Sequence, residues 1–234
     1  MFSESYLKKC LFFDIETCGK FKDYESFIIE DKKGADIWSK KMSRIKPDLT
    51  DDESYAAQVS LFPEFGQIVC LSYGVWKDGE MQISTIKNEG DYKEMMKRIY
   101  MLFTKSSANG MIPTGWNIKN FDVPWVIRHM LMNGLDVPSV LSTYEKKPWE
   151  VGVLDLKEVW KSNSSLDVTF EDAVYSLGLP TPKDDIDGSQ VHGEFWKGNV
   201  DRIVTYCEKD VKAMILFSER LKEIYYPGMT VSRF

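Results

Sequence analysis

Two histidines and four cysteines are scant material for soft-metal chemistry in a chain of 234 residues. The cysteines (Cys10, Cys18, Cys70 and Cys207) show no CxxC spacing and have no nearby histidine pair. That argues against zinc and reads as reduced thiols. No apolar run approaches the ~20 residues that a bilayer span requires. The opening MFSESYLKKC has no apolar segment behind a basic start, so the expectation is a cytoplasmic protein without membrane contact. Positive charge is not in excess either. Lys and Arg total 30 against 36 Asp and Glu, leaving a net charge of −6, the wrong sign for a protein that coats duplex nucleic acid. Repeats and low-complexity tracts are missing as well.

What is present is a core. Hydrophobic residues make up 43% and aromatics 13%, which excludes disorder and, at this length, suits one domain over residues 1–234. Leu11 to Ile15 is an apolar run with one Asp in it, the pattern of a buried strand. Gln67 to Trp76 is rich in β-formers, Lys77-Asp78-Gly79-Glu80 supplies a turn, and Met81 to Ile86 alternates, so a hairpin is predicted. Helical spacing over Asp91 to Phe103 precedes a short strand, Met111 to Trp116. A helix over Pro124 to Met132 ends before Gly134. Val151 to Leu156 reads as a strand and Asp167 to Leu177 as a helix closed by Gly178. A loop is expected from Pro180 to about Gly198, through an acidic stretch at Lys183 to Gly188. A last helix runs from near Asn199 to about Tyr225. Residues 20–62 are too long for a structureless connection. With helix-like patches at Asp36 to Met42 and Asp51 to Leu61, they read as a helical insertion after the first strand. The element order gives an α/β fold with a mixed sheet flanked by helices.

Three polar clusters interrupt this apolar framework. Asp14 and Glu16 lie two apart on a strand, so both carboxylates share one face. They repel unless a cation lies between them, which makes them a candidate Mg²⁺ ligand pair as well as an ordinary acidic strand end. The second cluster is GWNIKNFD, between a strand and a helix. Its Asp122 stands two residues before Pro124, where it reads as a helix cap or as a carboxylate aimed at a metal. In YCEKD, Tyr206 and Asp210 are spaced i, i+4 and project from one helix face. The same spacing also serves a plain amphipathic face. His129 reads as structural and His192 as a surface residue. The Lys-Lys steps at 8–9, 32–33, 40–41 and 146–147 read as solvated charge.

Taken together, FDIET, NIKNFD and YCEKD resemble the three motifs of DEDD-type 3′→5′ exonucleases, in the subgroup with tyrosine in the last motif. GWNIKNFDVPWVIRHMLMNG, SLDVTFEDAVYSLGLP and GSQVHGEFWKGNVDRIVTYCEKDVKAMILF extend the likeness to the stand-alone exonucleases related to the proofreading domain of family B DNA polymerases. Only residues 20–60 or so fall outside it. The resemblance implies an RNase H-like fold with a mixed five-stranded sheet.

It also implies two divalent ions, Mg²⁺ or Mn²⁺, held by Asp14, Glu16, Asp122 and Asp210. Asp14, Glu16 and Asp210 would hold one, Asp14 would bridge to the other, and Asp122 would act through water. Such a pair activates the attacking water and stabilises the leaving oxygen, with Tyr206 orienting that water. An acidic chain suits this chemistry, because the strand end is gripped through cations. The implied partner is the 3′ end of a single nucleic-acid strand, DNA ahead of RNA, with nucleoside 5′-monophosphates as products. Any proofreading would act in trans to a polymerase. Thr17, Asn117 and Phe121 are the candidate substrate contacts, Phe121 by stacking. Trp116 could also stack, and Trp125 reads as core. The competing readings are an RNA-directed exoribonuclease and a catalytically silent nucleic-acid-binding module on the same fold.

Overall fold

The computed structural model of the chain describes residues 2–77, 80–147, 150–181 and 186–225. Asp78 and Gly79 of the expected hairpin turn, and residues 183–185 of the acidic stretch, lie outside them. Five strands form one sheet: β1 (Cys10–Gly19), β2 (Gly66–Lys77), β3 (Glu80–Lys87), β4 (Ile112–Gly115) and β5 (Leu154–Asp155), in the order β3-β2-β1-β4-β5. β1 pairs antiparallel with β2, and β2 with β3, while β4 lies parallel to β1 and β5 to β4. This is the expected mixed five-stranded α/β sheet flanked by helices, consistent with an RNase H-like fold. No helix of the described residues is long and apolar enough to cross a membrane.

β1 is the central strand and is covered on both faces. Leu11, Phe13 and Ile15 pack with Met95, Ile99 and Phe103 of helix α5 (Tyr92–Ala108) and Val123 and Val126 of α6 (Asp122–Met132). Cys10 and Phe12 face the other way, with Val211, Met214 and Phe217 of α10 (Val200–Tyr225). The period-2 alternation of a strand therefore puts Asp14 and Glu16 on the α10 face. β1 and β4 stay paired only from Cys10↔Ile112 to Phe12↔Thr114, after which β1 continues with β2 alone. A Cβ on Gly115, where β4 ends, would stand 2.7 Å from the Phe13 carbonyl oxygen and collide with Ile118, so only glycine lets the chain turn so close to β1.

Between β1 and β2 stand three helices, α2 (Tyr24–Glu30), α3 (Lys32–Ile45) and α4 (Asp51–Gln58), then a 3₁₀ turn over Val59–Leu61. Each of the three opens on a side-chain cap: Asp23, Asp31 and a Thr50–Glu53 capping box. Their interior is aromatic. Tyr24, Phe27, Trp38, Tyr55 and Phe65 bury together, and Trp38 donates to Ser54 Oγ at 3.1 Å. Sequence spacing pointed to α3 and α4 but not to α2.

Other boundaries shift for local reasons. α8 (Phe170–Ser176) begins three residues after Asp167, because Thr169 and Asp172 form a capping box there. The expected loop before the last helix contains α9 (Val191–Trp196). The opening residues form the short α1 (Glu4–Leu7), which sequence spacing did not suggest. β5 is reduced to two residues and is followed directly by α7 (Leu156–Lys161).

His129 is structural. It is 1% exposed, its ring stacks on Trp125 at 5.2 Å, and Nδ1 lies 2.7 Å from the Tyr92 hydroxyl. That oxygen also accepts the Ile68 amide at 3.1 Å, so Tyr92 ties the ring to β2. Burial pushes the imidazole pKa down to about 4 from 6.5. A depressed histidine stabilises the fold fully above its unfolded value and loses that contribution as pH falls through the folded one. Between pH 6.5 and 4 the wild type is expected to lose about 3 kcal/mol more unfolding free energy than His129→Gln, as measured by urea titration across that range. Parallel pH profiles would refute a buried neutral ring.

Candidate active site

Where β4 stops, the outward N–H groups of β1 lose their ladder partner. The Ile15 N–H recovers one by donating to Asp122 Oδ1 at 3.0 Å, both groups being buried. Asp122 is thus the first residue of α6 and not its cap. Phe121 holds the cap position, and no side chain caps there. This replaces the expected capping role and fixes a carboxylate beside the Asp14–Glu16 stretch. A register shift follows immediately. Glu16 pairs with Cys70 and Thr17 with Ile68, leaving Val69 as the extra residue of a β-bulge on β2. Bulges of this kind re-aim side chains next to functional sites.

The last helix supplies the other wall. Ile203, Cys207, Val211 and Met214 fix its buried stripe, with Val211 and Ile215 lying close over Gly74 of β2. Its rotation is also set by hydrogen bonds. Glu208 Oε1 accepts from Thr85 Oγ1 at 2.6 Å, and that hydroxyl lies 2.8 Å from Ser72 Oγ. With Glu208 tied to β3, Tyr206 and Asp210 border a cleft of about 130 Å³ with Asp14, Trp116, Phe170, Glu171 and Met214.

The electrostatics show how near the acids stand. Burial raises Asp14 well above the usual carboxylate range, and the charges of Asp122 and Asp210 raise it further. Glu16 is raised by burial, then by Asp14. Burial pushes Asp122 up to about 7 against the pull of the Ile15 amide. Burial, then Asp210, Glu16 and Asp14, drive the Tyr206 hydroxyl far above its ordinary value, and its hydrogen bond to Asp210 adds to this. The structure therefore brings Asp14, Tyr206 and Asp210 to one cleft, with Glu16 two residues on along β1 and Asp122 bonded to the Ile15 amide between them.

Asp14, Glu16 and Cys207 each offer a ligand atom within 4.8 Å of the others. The thiol is fully buried and its Sγ donates to Asp14 Oδ2 at 3.4 Å. The remaining donors are carboxylate oxygens, which fit a hard cation such as Mg²⁺ or Mn²⁺.

The three expected substrate contacts fare differently. Thr17 is 5% exposed and donates its hydroxyl to the Ser60 carbonyl at 2.7 Å. Asn117 has φ 58° and lies half-buried beside the motif it opens. Phe121 is half-buried against Trp125, with ring centroids 5.9 Å apart. Trp116 lines the cleft against Phe170 at 5.0 Å, and Trp125 is core. His192 is half-buried at the surface and is held there. Nδ1 accepts the Gly19 amide at 3.0 Å and Nε2 contacts the Lys22 carbonyl at 2.9 Å, pinning α9 to the end of β1.

Sequence reasoning missed Asp155. It is 2% exposed at the end of β5 and accepts three backbone amides: Asn117 at 2.9 Å, Lys119 at 3.1 Å and Lys157 at 3.0 Å. It thus holds the loop that delivers Asp122. The available signal was an acid at the end of an apolar strand, the same signature that marked Asp14.

A family model described as "Predicted 3'-5' exonuclease related to the exonuclease domain of PolB" matches residues 61–222. No curated protein matches the chain. The matched span contains Asp122, Tyr206 and Asp210 and leaves out Asp14, Glu16 and all three helices α2–α4.

Two outcomes follow. Asp155→Ala strands three amides and is expected to cost on the order of 3 kcal/mol, with Asp155→Asn recovering part of it, as read by urea unfolding. Mn²⁺ is expected to raise the melting temperature of the wild type in proportion to the logarithm of its concentration. Asp14→Asn should melt higher than the wild type in chelator and respond little to Mn²⁺. Equal Mn²⁺ responses in the two proteins would remove Asp14 from the ligand set.

Proposed function

The chain belongs to the family of predicted 3′-5′ exonucleases related to the PolB exonuclease domain, and from that premise we propose that it hydrolyses phosphodiester bonds at the 3′ end of single-stranded DNA, releasing nucleoside 5′-monophosphates. The supporting observation is that Asp14, on the central strand, borders one cleft with Tyr206 and Asp210, while Asp122 is bonded to the amide of the next residue, Ile15, all three partners coming from distant parts of the chain. A buried set of like charges is costly without a counter-ion. A purely structural or silent binding module would have no use for it.

Asp14, Glu16, Asp122 and Asp210 would hold two Mg²⁺ or Mn²⁺ ions, which supply an acidified attacking water and neutralise charge on the leaving 3′-oxygen. The protein's own groups do the rest. Asp122 is clamped by the Ile15 amide and Asp155 holds the loop in front of it, so the second motif is preorganised before substrate arrives. Tyr206 is hydrogen-bonded to Asp210 beside the cleft, and from there it is proposed to orient the attacking water. Phe121 and Asn117 are proposed to contact the terminal nucleotide. The hydroxyl of Thr17 is committed to Ser60, which leaves its backbone for that role. Residues 1–234 act as one exonuclease unit, with residues 20–62 inserted at its edge.

The test is digestion of matched 5′-labelled DNA and RNA single strands with Mg²⁺, with Mn²⁺ and with chelator. Stepwise shortening of DNA from its 3′ end is expected, and chelator should stop it. Asp14→Ala and Asp210→Ala are expected to lower kcat by roughly 10³-fold with the fold intact, and Tyr206→Phe by roughly 10²-fold. Faster digestion of RNA would move the assignment to an exoribonuclease. Undiminished cleavage by either alanine variant would take the acids out of the chemistry.

A further inference from the structure

A second cavity lies in the α2–α4 segment, outside the span matched by the family model except at its lower rim. It measures about 450 Å³ and is lined by Lys20, Phe21, Phe27, Asp31, Gly34, Ile37, Lys41, Glu64 and Phe65. Its walls are aromatic: Phe21 and Phe27 stack at 5.0 Å with their planes 17° apart, and Phe65 lies 6.1 Å from Phe27. Gly34 helps to keep it open, because a Cβ there would meet the Phe27 ring at 2.9 Å.

The rim is cationic where it is free to act. Helix α3, which forms one side, carries Lys32, Lys33, Lys40, Lys41 and Arg44 against a single acid, Asp36, in a chain whose net charge is −6. Lys41 Nζ sits 4.6 Å over the Phe62 ring, and Lys20 Nζ donates to the Glu64 carbonyl. The two acids at the rim are already engaged. Asp31 accepts the Gly34 amide at 2.9 Å as the cap of α3, and Glu64 pairs with Arg128 at 3.1 Å. A partly exposed aromatic ring, here Phe21, beside lysines and local positive charge on an acidic protein is the combination that holds single-stranded nucleic acid without reading its sequence.

Position supports the same occupant. Lys20 follows directly on β1, four residues past Glu16. At ~3.3 Å per extended residue the cavity rim is ~13 Å from the acids. A strand stacked at ~3.4 Å per nucleotide covers that in about four nucleotides. We infer that this cavity is a subsite for a base of the substrate strand, about four nucleotides upstream of the 3′ end, with the half-buried Phe21, backed by Phe27, as its aromatic wall and Lys20 and Lys41 meeting the adjoining phosphates. This rests on the exonuclease reading of the acidic site.

Ile37→Trp fills the cavity from an exposed position (51% exposed) and Lys41→Ala removes one ammonium, so neither touches the fold's interior or the acids. Cleavage of 3-mer and 12-mer oligothymidylate and oligouridylate is measured with Mn²⁺. In the wild type, KM is expected to be lower for the 12-mer. Ile37→Trp should raise KM for the 12-mer about tenfold and leave the 3-mer and kcat unchanged, with Lys41→Ala acting in the same direction. Wild-type length dependence in both variants would overturn the subsite. If the wild type cleaves neither polymer with any metal, the exonuclease reading fails by itself. The subsite is then judged by fluorescence anisotropy of the labelled 12-mers in chelator. Weaker binding by Ile37→Trp supports it, and equal binding or none overturns it.

Discussion

One hydrogen bond sets the geometry of the acidic site. β1 is ten residues long and β4 only four, so the central strand outruns its parallel neighbour and exposes amides on that side. Water cannot serve them in a buried site, and an orphaned amide is expensive. The Ile15–Asp122 bond meets this need with a side chain instead of a strand. The backbone requirement of one motif thereby fixes the carboxylate of another, 107 residues away. Asp155 repeats the device one strand further out, where a carboxylate at a strand end satisfies the amides of the neighbouring loop. The edge of the sheet is thus a chain of carboxylate-to-amide contacts. The acids that resemble a metal site also complete the secondary structure.

The two roles pull in opposite directions. Amides pull Asp122 and Asp155 down toward ionisation, while burial and neighbouring acids push them up. Asp14 and Glu16 are raised chiefly by burial as well, and by neighbouring acids. The fold therefore stores unfavourable charge at the end of β1 and surrounds it with rigid packing from α6 and α10.

Much of this was legible in the sequence. The apolar run before Asp14 announced a buried strand, and strand parity put Asp14 and Glu16 on one face. The i, i+4 spacing paired Tyr206 with Asp210. The hairpin, α5 and α10 follow their periodicity closely. Features that depend on contacts between distant segments were hidden. Asp122 looked like a helix cap because the Ile15 amide cannot be seen from position 122. His192 looked like an unanchored surface residue because its partners, Gly19 and Lys22, are about 170 positions away. α9 and α2 are too short for periodicity to stand out, and Cys207 gained meaning only when α10 brought its thiol to Asp14. The substrate contacts proposed from the motifs are next to the site, but the commitment of Thr17 to Ser60 has no trace in local sequence.

The register at the base of the α2–α4 segment has an evolutionary consequence. Gly19 and Gly66 face each other across the β1–β2 ladder as its last pair, so the chain leaves the sheet and returns to it at adjacent points. The helical segment is thus an elaborated hairpin tip, and a short turn joining the two glycines would close the same ladder. Ancestors and cousins of this protein could have gained, lost or exchanged that tip without disturbing a single strand pairing. Variation in how a lineage handles its substrate could then accumulate there, while the acids beneath it stay under the constraint of the sheet.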